Sequence, residues 1–207
     1  MSEKNASNEM KAELKDKFGE NIFNKAMEIH NRSEDEKIYR EQAVCVPVKE
    51  FIEDGKTVQK VLLVKSQKAI GAGRESRAWS LAQGGADSAE ETTEDVAIRE
   101  FGEEVFLSEE LQKEDFVTVG ETYKQDFGLD RICKELDRED PREFNGKRYR
   151  HVAFKTSGEI TGFDPEEIND ARWMTVDDAE QTLEGGGNPA KFDQQMDAIR
   201  QAVQAVG

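Results

Sequence analysis

Between Gly84 and Leu107 the chain reads GGADSAEETTEDVAIREFGEEVFL. The paired glycines mark a turn, and the second half of the stretch has helical period. Ala97, Ile98, Phe101 and Val105 share one arc of a 3.6-residue wheel, the arc that faces a core. Glu100, Glu103 and Glu104 fall on a different arc, roughly 100° wide. Carboxylates three and four residues apart are neighbours on a helix surface and repel one another by about 0.2–0.5 kcal/mol per pair. Such a cluster is either a piece of a very acidic surface or a seat for something cationic. Three carboxylates on one rigid helix beside a glycine turn make a hard-oxygen site suited to Mg²⁺ or Mn²⁺. Arg99, directly before them, is placed to hold one carboxylate in orientation.

Around this segment, strand and helix patterns alternate. Met10, Leu14, Phe18, Ile22 and Ala26 recur at four-residue spacing and predict helix over residues 8–31, interrupted or weakened at Gly19. AVCVPVKEF (43–51) and TVQKVLLVK (57–65) read as strands, and Asp54-Gly55 between them is a hairpin signal. SQKAIGAGRESR then reads as a loop. DFVTVGETY (115–123) and RYRHVAFKT (148–156) have strand composition, and the latter makes His151 a sheet residue. The acidic insert between them predicts a short helix near 130–136. Thr175 opens a helix with a capping-box-like start; GGG at 185–187 is a break. Asn188-Pro189 then starts a last helix striped by Phe192, Met196, Ile199 and Val203. Strands interleaved with helices predict an α/β domain with a mixed sheet.

The 207 residues suffice for one well-buried domain with an added helical arm. A net charge of −16 argues against a large nucleic-acid footprint, which depends on a basic face. It leaves room for a small anionic substrate neutralised by metal. The two cysteines, Cys45 and Cys133, stand in neither CxxC nor metal-ligand spacing, so ordinary thiols in a reducing compartment are expected. The first residues have no apolar core of a leader, and no run approaches a membrane span. A cytoplasmic protein is the resulting expectation.

The spacing is specific beyond the helix itself. Gly85, five residues, Glu91, seven residues, then REFGEEVFL resembles the box of the Nudix family, G-x5-E-x7-R-E-U-x-E-E-x-G-U with U a bulky apolar residue. Seven of the eight residue types after the glycine match; the family's last glycine is Phe106 here. That glycine lies where a left-handed residue ends a helix, so Phe106 puts the helix exit in question. AWSLAQGG before the box and EINDARWMTVDDA (167–179) extend the likeness to roughly residues 42–184.

The resemblance implies a Nudix α/β/α sandwich over 42–184. An N-terminal helical extension (1–41) precedes it, and a C-terminal helix (185–207) packs on it. It implies a pyrophosphohydrolase acting on a nucleoside diphosphate linked to another moiety, by water attack at phosphorus with Mg²⁺ or Mn²⁺. Glu100, Glu103 and Glu104 become metal ligands, with the Gly85 carbonyl as a further one, and Arg99 and Glu91 orient the cluster. A base outside the box is carried over to Glu167, with Glu166 and Asp164 as competitors. Lys65, Arg77, Arg150 and Trp173 are candidate substrate contacts, with Lys68 and Arg74 near the first pair and Tyr123 and Phe127 as stacking groups. The AQGG turn is similar to the PQGG of dinucleoside polyphosphate and RNA pyrophosphohydrolases. It points to a dinucleoside polyphosphate or 5′-polyphosphate nucleotide, against ADP-ribose or a nucleotide sugar. A non-catalytic nucleotide sensor is the rival from another class, and the N-terminal arm is a candidate homodimer contact.

Overall fold

The computed structural model describes residues 3–75, 78–88, 90–184 and 189–206. The chain divides into two compact units, one of residues 41–123 and 149–207, the other of 1–40 and 124–148.

The larger unit is built on a seven-stranded mixed sheet. Its strands are β1 (Tyr39–Glu53), β2 (Lys56–Ser66), β3 (Trp79–Ser80), β4 (Gln83–Gly85), β6 (Val117–Asp126), β7 (Gly146–Lys155) and β9 (Ile168–Met174). The order is β3-β2-β1-β7-β6, with β4 also on β1 and β9 also on β2. Two short strands, β5 (Val105–Leu107) and β8 (Ile160–Phe163), pair separately. The β1–β2 hairpin closes at Glu53↔Lys56 through Asp54 (φ 51°) and Gly55 (φ 74°). A two-residue loop with both residues at positive φ matches the twist of the flanking strands.

Alternation along the central strands sends side chains to two cores. Val44, Val46, Val48, Val61 and Leu63 meet Leu183, Met196, Ile199 and Ala202, from α6 (Val176–Glu184) and α7 (Pro189–Val206). Ala43, Cys45, Leu62 and Val64 meet Val96, Ala97 and Phe101 from α4 (Thr93–Glu104). A sheet covered on both faces explains why β1 and β2 read as nearly continuous apolar runs. Thr175 Oγ1 accepts from the Asp178 amide at 3.2 Å, giving α6 the predicted start. Asn188 and the GGG break lie outside the described residues.

His151 on β7 is 1% exposed, and neither ring nitrogen has a hydrogen-bond partner. Burial pushes its pKa down to about 4, with Lys191 adding to the effect and Asp197 opposing it. The folded state therefore holds a neutral ring where the unfolded chain takes up a proton. Stability falls as pH drops from about 6.5 towards 4, by about 3 kcal/mol in all. His151→Phe is expected to flatten that acid limb in thermal melts taken across pH. An unchanged limb would assign it to other groups.

The smaller unit has its own core. Leu14 from α1 (Glu3–Phe18), Ala26 and Ile29 from α2 (Glu20–His30), and Ile132, Cys133 and Leu136 from α5 (Leu129–Leu136) pack together. Gly19, at φ 82°, separates α1 from α2, an interruption at the residue where the sequence predicts a break or a weakening. Asn145, 3% exposed, accepts from the Ile38 amide at 3.0 Å and donates to the Ile29 carbonyl, so its buried amide is satisfied. The N-terminal helices thus share a core with the acidic insert 124–148, a pairing that local periodicity does not reveal.

Candidate active site

Strand β4 runs antiparallel to β1, with Gln42 opposite Gly85 and Ala43 opposite Gly84. The turn after it leads to α4, which Thr92 caps. Thr92 Oγ1 accepts from the Asp95 amide at 3.2 Å, and Asp95 returns a bond to the Thr92 amide at 3.2 Å. Arg99 ties turn to helix. Its Nε and Nη2 donate to the two oxygens of Glu91 at 3.0 and 3.2 Å, and Nη2 also reaches the Gly85 carbonyl at 3.0 Å. Its Nη1 donates to Glu100 Oε1 at 2.8 Å, an oxygen that also accepts from the Gly85 amide at 3.1 Å. The guanidinium holds the Glu91 carboxyl below its usual range. A planar fork is what this four-way contact requires; a lysine ammonium could not span it.

Gly84, in the AQGG approach, stands directly against Glu100. A Cβ there would lie 1.8 Å from Glu100 Cδ, so the glycine leaves the space the carboxylate occupies. Because the obstructed group is the end of a flexible side chain, Gly84→Ala should fold and displace Glu100. Turnover is expected to drop about 100-fold with the melting temperature little changed. Near-normal kcat would mean that the position of Glu100 is immaterial.

Five carboxylates (Glu100, Glu103, Glu104, Asp164 and Glu167) line one cleft of about 480 Å³ together with Gln83 and the ammonium of Lys68. The Asp164 amide donates to the Glu104 carbonyl at 3.1 Å, joining the end of α4 to the turn that carries Glu167. Lys68, on α3 (Gln67–Gly71), forms an ion pair with Glu167. The sequence predicts a loop for residues 66–77; α3 forms inside it because Ser66 accepts from the Ala69 amide at 3.3 Å. Glu166 is exposed and does not line the cleft.

Glu104 Oε2 is buried without a hydrogen-bond partner. Burial, then the charges of Glu100 and Glu167, push its pKa up to about 8, against the pull of Lys68. A carboxylate so placed is satisfied by a cation. Among the described residues no three acidic, histidine or cysteine side chains already stand in a ligating array, since Glu100 is turned into Arg99 and Gly85. The donors nevertheless fit a hard divalent ion: they are carboxylate oxygens throughout, with no thiol or imidazole in the lining.

The remaining sequence candidates lie elsewhere. Lys65 pairs with Glu75 at 3.1 Å and Arg150 with Glu41 at 3.4 Å. Trp173 packs beside Phe51, ring centroids 6.0 Å apart, and against the α4-side core. Tyr123 lies in β6 and stacks on Tyr149 at 4.5 Å. Phe127 packs in the core of the smaller unit. None of these lines the cleft, and Arg77 lies outside the described residues.

Phe106 also departs from expectation. The helix ends without a left-handed residue: Val105 is extended (φ −132°), and Phe106 continues as a strand opposite Gly162. Its ring would come within 3.2 Å of a Cβ at Gly162, so the phenyl fills the space the glycine leaves open.

A family model for the NUDIX domain matches residues 42–196. The chain belongs to the NUDIX domain family. As a Nudix protein it is a hydrolase of phosphoric anhydride bonds. Similar solved structures include a C. elegans Ap4A hydrolase binary complex, at 17% identity and TM-score 0.44, covering 74% of this chain and 95% of that one. The NUDIX domain of Shewanella oneidensis NrtR, complexed with ADP ribose, is similar at 18% identity and TM-score 0.49, covering 86% and 96%. A bifunctional NMN adenylyltransferase/ADP ribose pyrophosphatase from Francisella tularensis, complexed with AMP and Mn ion, is similar at 15% identity and TM-score 0.42, covering 87% and 45%. No curated protein matches the sequence. Among the described residues no helix is long and apolar enough to cross a membrane.

Proposed function

We propose that this Nudix protein is a divalent-metal-dependent pyrophosphohydrolase that cleaves a nucleoside diphosphate linked to another moiety, by attack of water at phosphorus. The observation that carries the reading is the Arg99-locked turn and helix presenting Glu100, Glu103 and Glu104 to the same cleft as Glu167 and Lys68. Glu100, Glu103 and Glu104 would hold Mg²⁺ or Mn²⁺, with the Gly85 carbonyl as a further donor. A bound ion would neutralise pyrophosphate charge and make a bound water more acidic. Glu167, across the cleft, accepts the proton of the attacking water. Lys68 orients Glu167 and meets the phosphates at the cleft's rim. Arg99 and Glu91 keep the turn and helix in register, so the three carboxylates are carried on one wall of the cleft.

The AQGG approach to the box supports a dinucleoside polyphosphate or a 5′-polyphosphate nucleotide as substrate. The test is a turnover screen with Mg²⁺ and Mn²⁺ over nucleoside triphosphates, dinucleoside polyphosphates, ADP-ribose, nucleotide sugars and 5′-triphosphorylated RNA, products identified by mass. Cleavage of one class at the anhydride is the expected result. Silence across the panel with nucleotide binding retained would replace the enzyme with a sensor.

A further inference from the structure

A second cavity, of about 330 Å³, is lined in part by Lys191, Phe192 and Gln195 of α7. Lys191 and Gln195 are four residues apart, so their side chains are neighbours on one face of the helix. Gln195 is 4% exposed and its Nε2 has no partner. Gln83, from β4, adds to the same lining a buried Oε1, likewise without a partner. Buried amides are ordinarily bonded, so these two atoms mark a place where an acceptor and a donor belong. Lys191 is partly buried, and burial holds its ammonium below the usual lysine range. More of it is therefore the free, nucleophilic amine at neutral pH than of a lysine in water. Arg74 and Lys68 line the cavity too, so three cationic side chains share it in a chain that carries −16 overall. Among the described residues no carboxylate lines it.

We propose that Lys191 is a site of reversible carbamylation by carbon dioxide. The neutral amine attacks the carbon of CO₂. A C–N bond forms, one C=O π pair moves onto oxygen, and the nitrogen releases one proton to solvent. The product is a carbamate, an anion with two acceptor oxygens and one N–H, which are the two kinds of partner the orphan amide atoms lack. Gln195 Nε2 donates to a carbamate oxygen from the next turn of the same helix, and Arg74 and Lys68 balance the new charge. An N-acyl lysine would be neutral and would give the two remaining cations no counter-charge. A free inorganic anion would use the cations and leave the amine unused. Carbamylation uses both, turning one of the cavity's cations into the anion that the other two neutralise.

The test is chemical trapping in the full chain. The protein is equilibrated with isotopically labelled bicarbonate, or kept free of CO₂, and treated with triethyloxonium, which fixes a carbamate as its ethyl ester; the digest is then mapped by mass. Lys191 is expected to carry at least about fivefold more label than the exposed Lys56 and Lys113. Gln195→Met should cut that label about fivefold and leave acetylation of Lys191 by acetic anhydride within about twofold, because the amine is untouched and only the anion loses its donor. It should not lower the melting temperature, since it removes an unsatisfied buried amide. Arg74→Gln is the second variant, again with the label falling more than the acetylation. Label at Lys191 no greater than at Lys56 and Lys113 overturns the proposal. An equal fall of label and acetylation in both variants also overturns it, leaving a reactive amine without a carbamate site. Label unchanged in both variants would show that water satisfies the amide and that the cavity does not hold the anion.

Discussion

Glu104→Gln is expected to lower kcat by at least about 10³ while leaving the fold intact. Glu104 carries a buried, unpartnered Oε2, and burial with the charges of Glu100 and Glu167 raises its pKa to about 8. Glutamine keeps the shape and removes the charge that a divalent ion needs. The same substitution has a signature in stability. A carboxyl whose folded pKa exceeds its unfolded value holds its proton more tightly in the folded state. Without divalent ions, stability is therefore full below about pH 4.5 and declines as pH rises towards 8. The glutamine variant has no proton to lose, so this contribution to the decline should vanish in metal-free melts, and the variant should be the more stable at pH 8. Mg²⁺ should raise the melting temperature of the unaltered chain more than that of the variant. If the variant kept more than a tenth of the Mg²⁺-dependent turnover, Glu104 would not be a metal ligand for the chemistry.

What the sequence disclosed and what it concealed follow from the range of the interactions involved. Arg99, Glu91, Glu100 and Gly85 are fixed by spacing along one turn-helix unit, and the structure brings them into direct contact. The Asp54-Gly55 hairpin and the Thr175 cap are equally local and formed where the residues indicate. Gly84 is legible as half of a glycine turn, but its close approach to Glu100 is not, because that depends on a side chain sixteen residues later, after the helix has folded back over β4. The second cavity is more distant still. Ser66, Gln83 and Gln195 come together only when α7 docks on the sheet, and a helix stripe reads identically whether a glutamine beside it meets solvent or a cavity. Lys65, Arg150 and Trp173 are strand residues outside the carboxylate cleft: the first two pair with Glu75 and Glu41, and Trp173 packs beside Phe51.

The second large effect is expected at Glu167, where replacement by Gln should lower kcat by about two to four orders of magnitude. A base must face the metal-binding carboxylates across the substrate and must be held there. Glu167 meets both conditions: it lines the cleft from the segment before β9, and its backbone is fixed at both ends. The Gln67 amide donates to its carbonyl at 2.8 Å, and its own amide donates to the Asp164 carbonyl at 3.2 Å. Lys68 then orients the carboxylate itself. Glutamine preserves size and a hydrogen-bond acceptor but cannot take the proton, so the loss should appear in kcat with KM changed far less. Glu166, the residue before it in the same turn and exposed, is the matched control, and Glu166→Gln should stay within twofold. A change of less than a few-fold at Glu167 would move the base to Asp164, which lines the same cleft, or to a glutamate on α4. The pair Glu167→Gln and Asp164→Asn decides between those. Loss on Asp164→Asn alone would mean that Asp164, at the start of the turn after β8, rather than Glu167, at its end, is the proton acceptor.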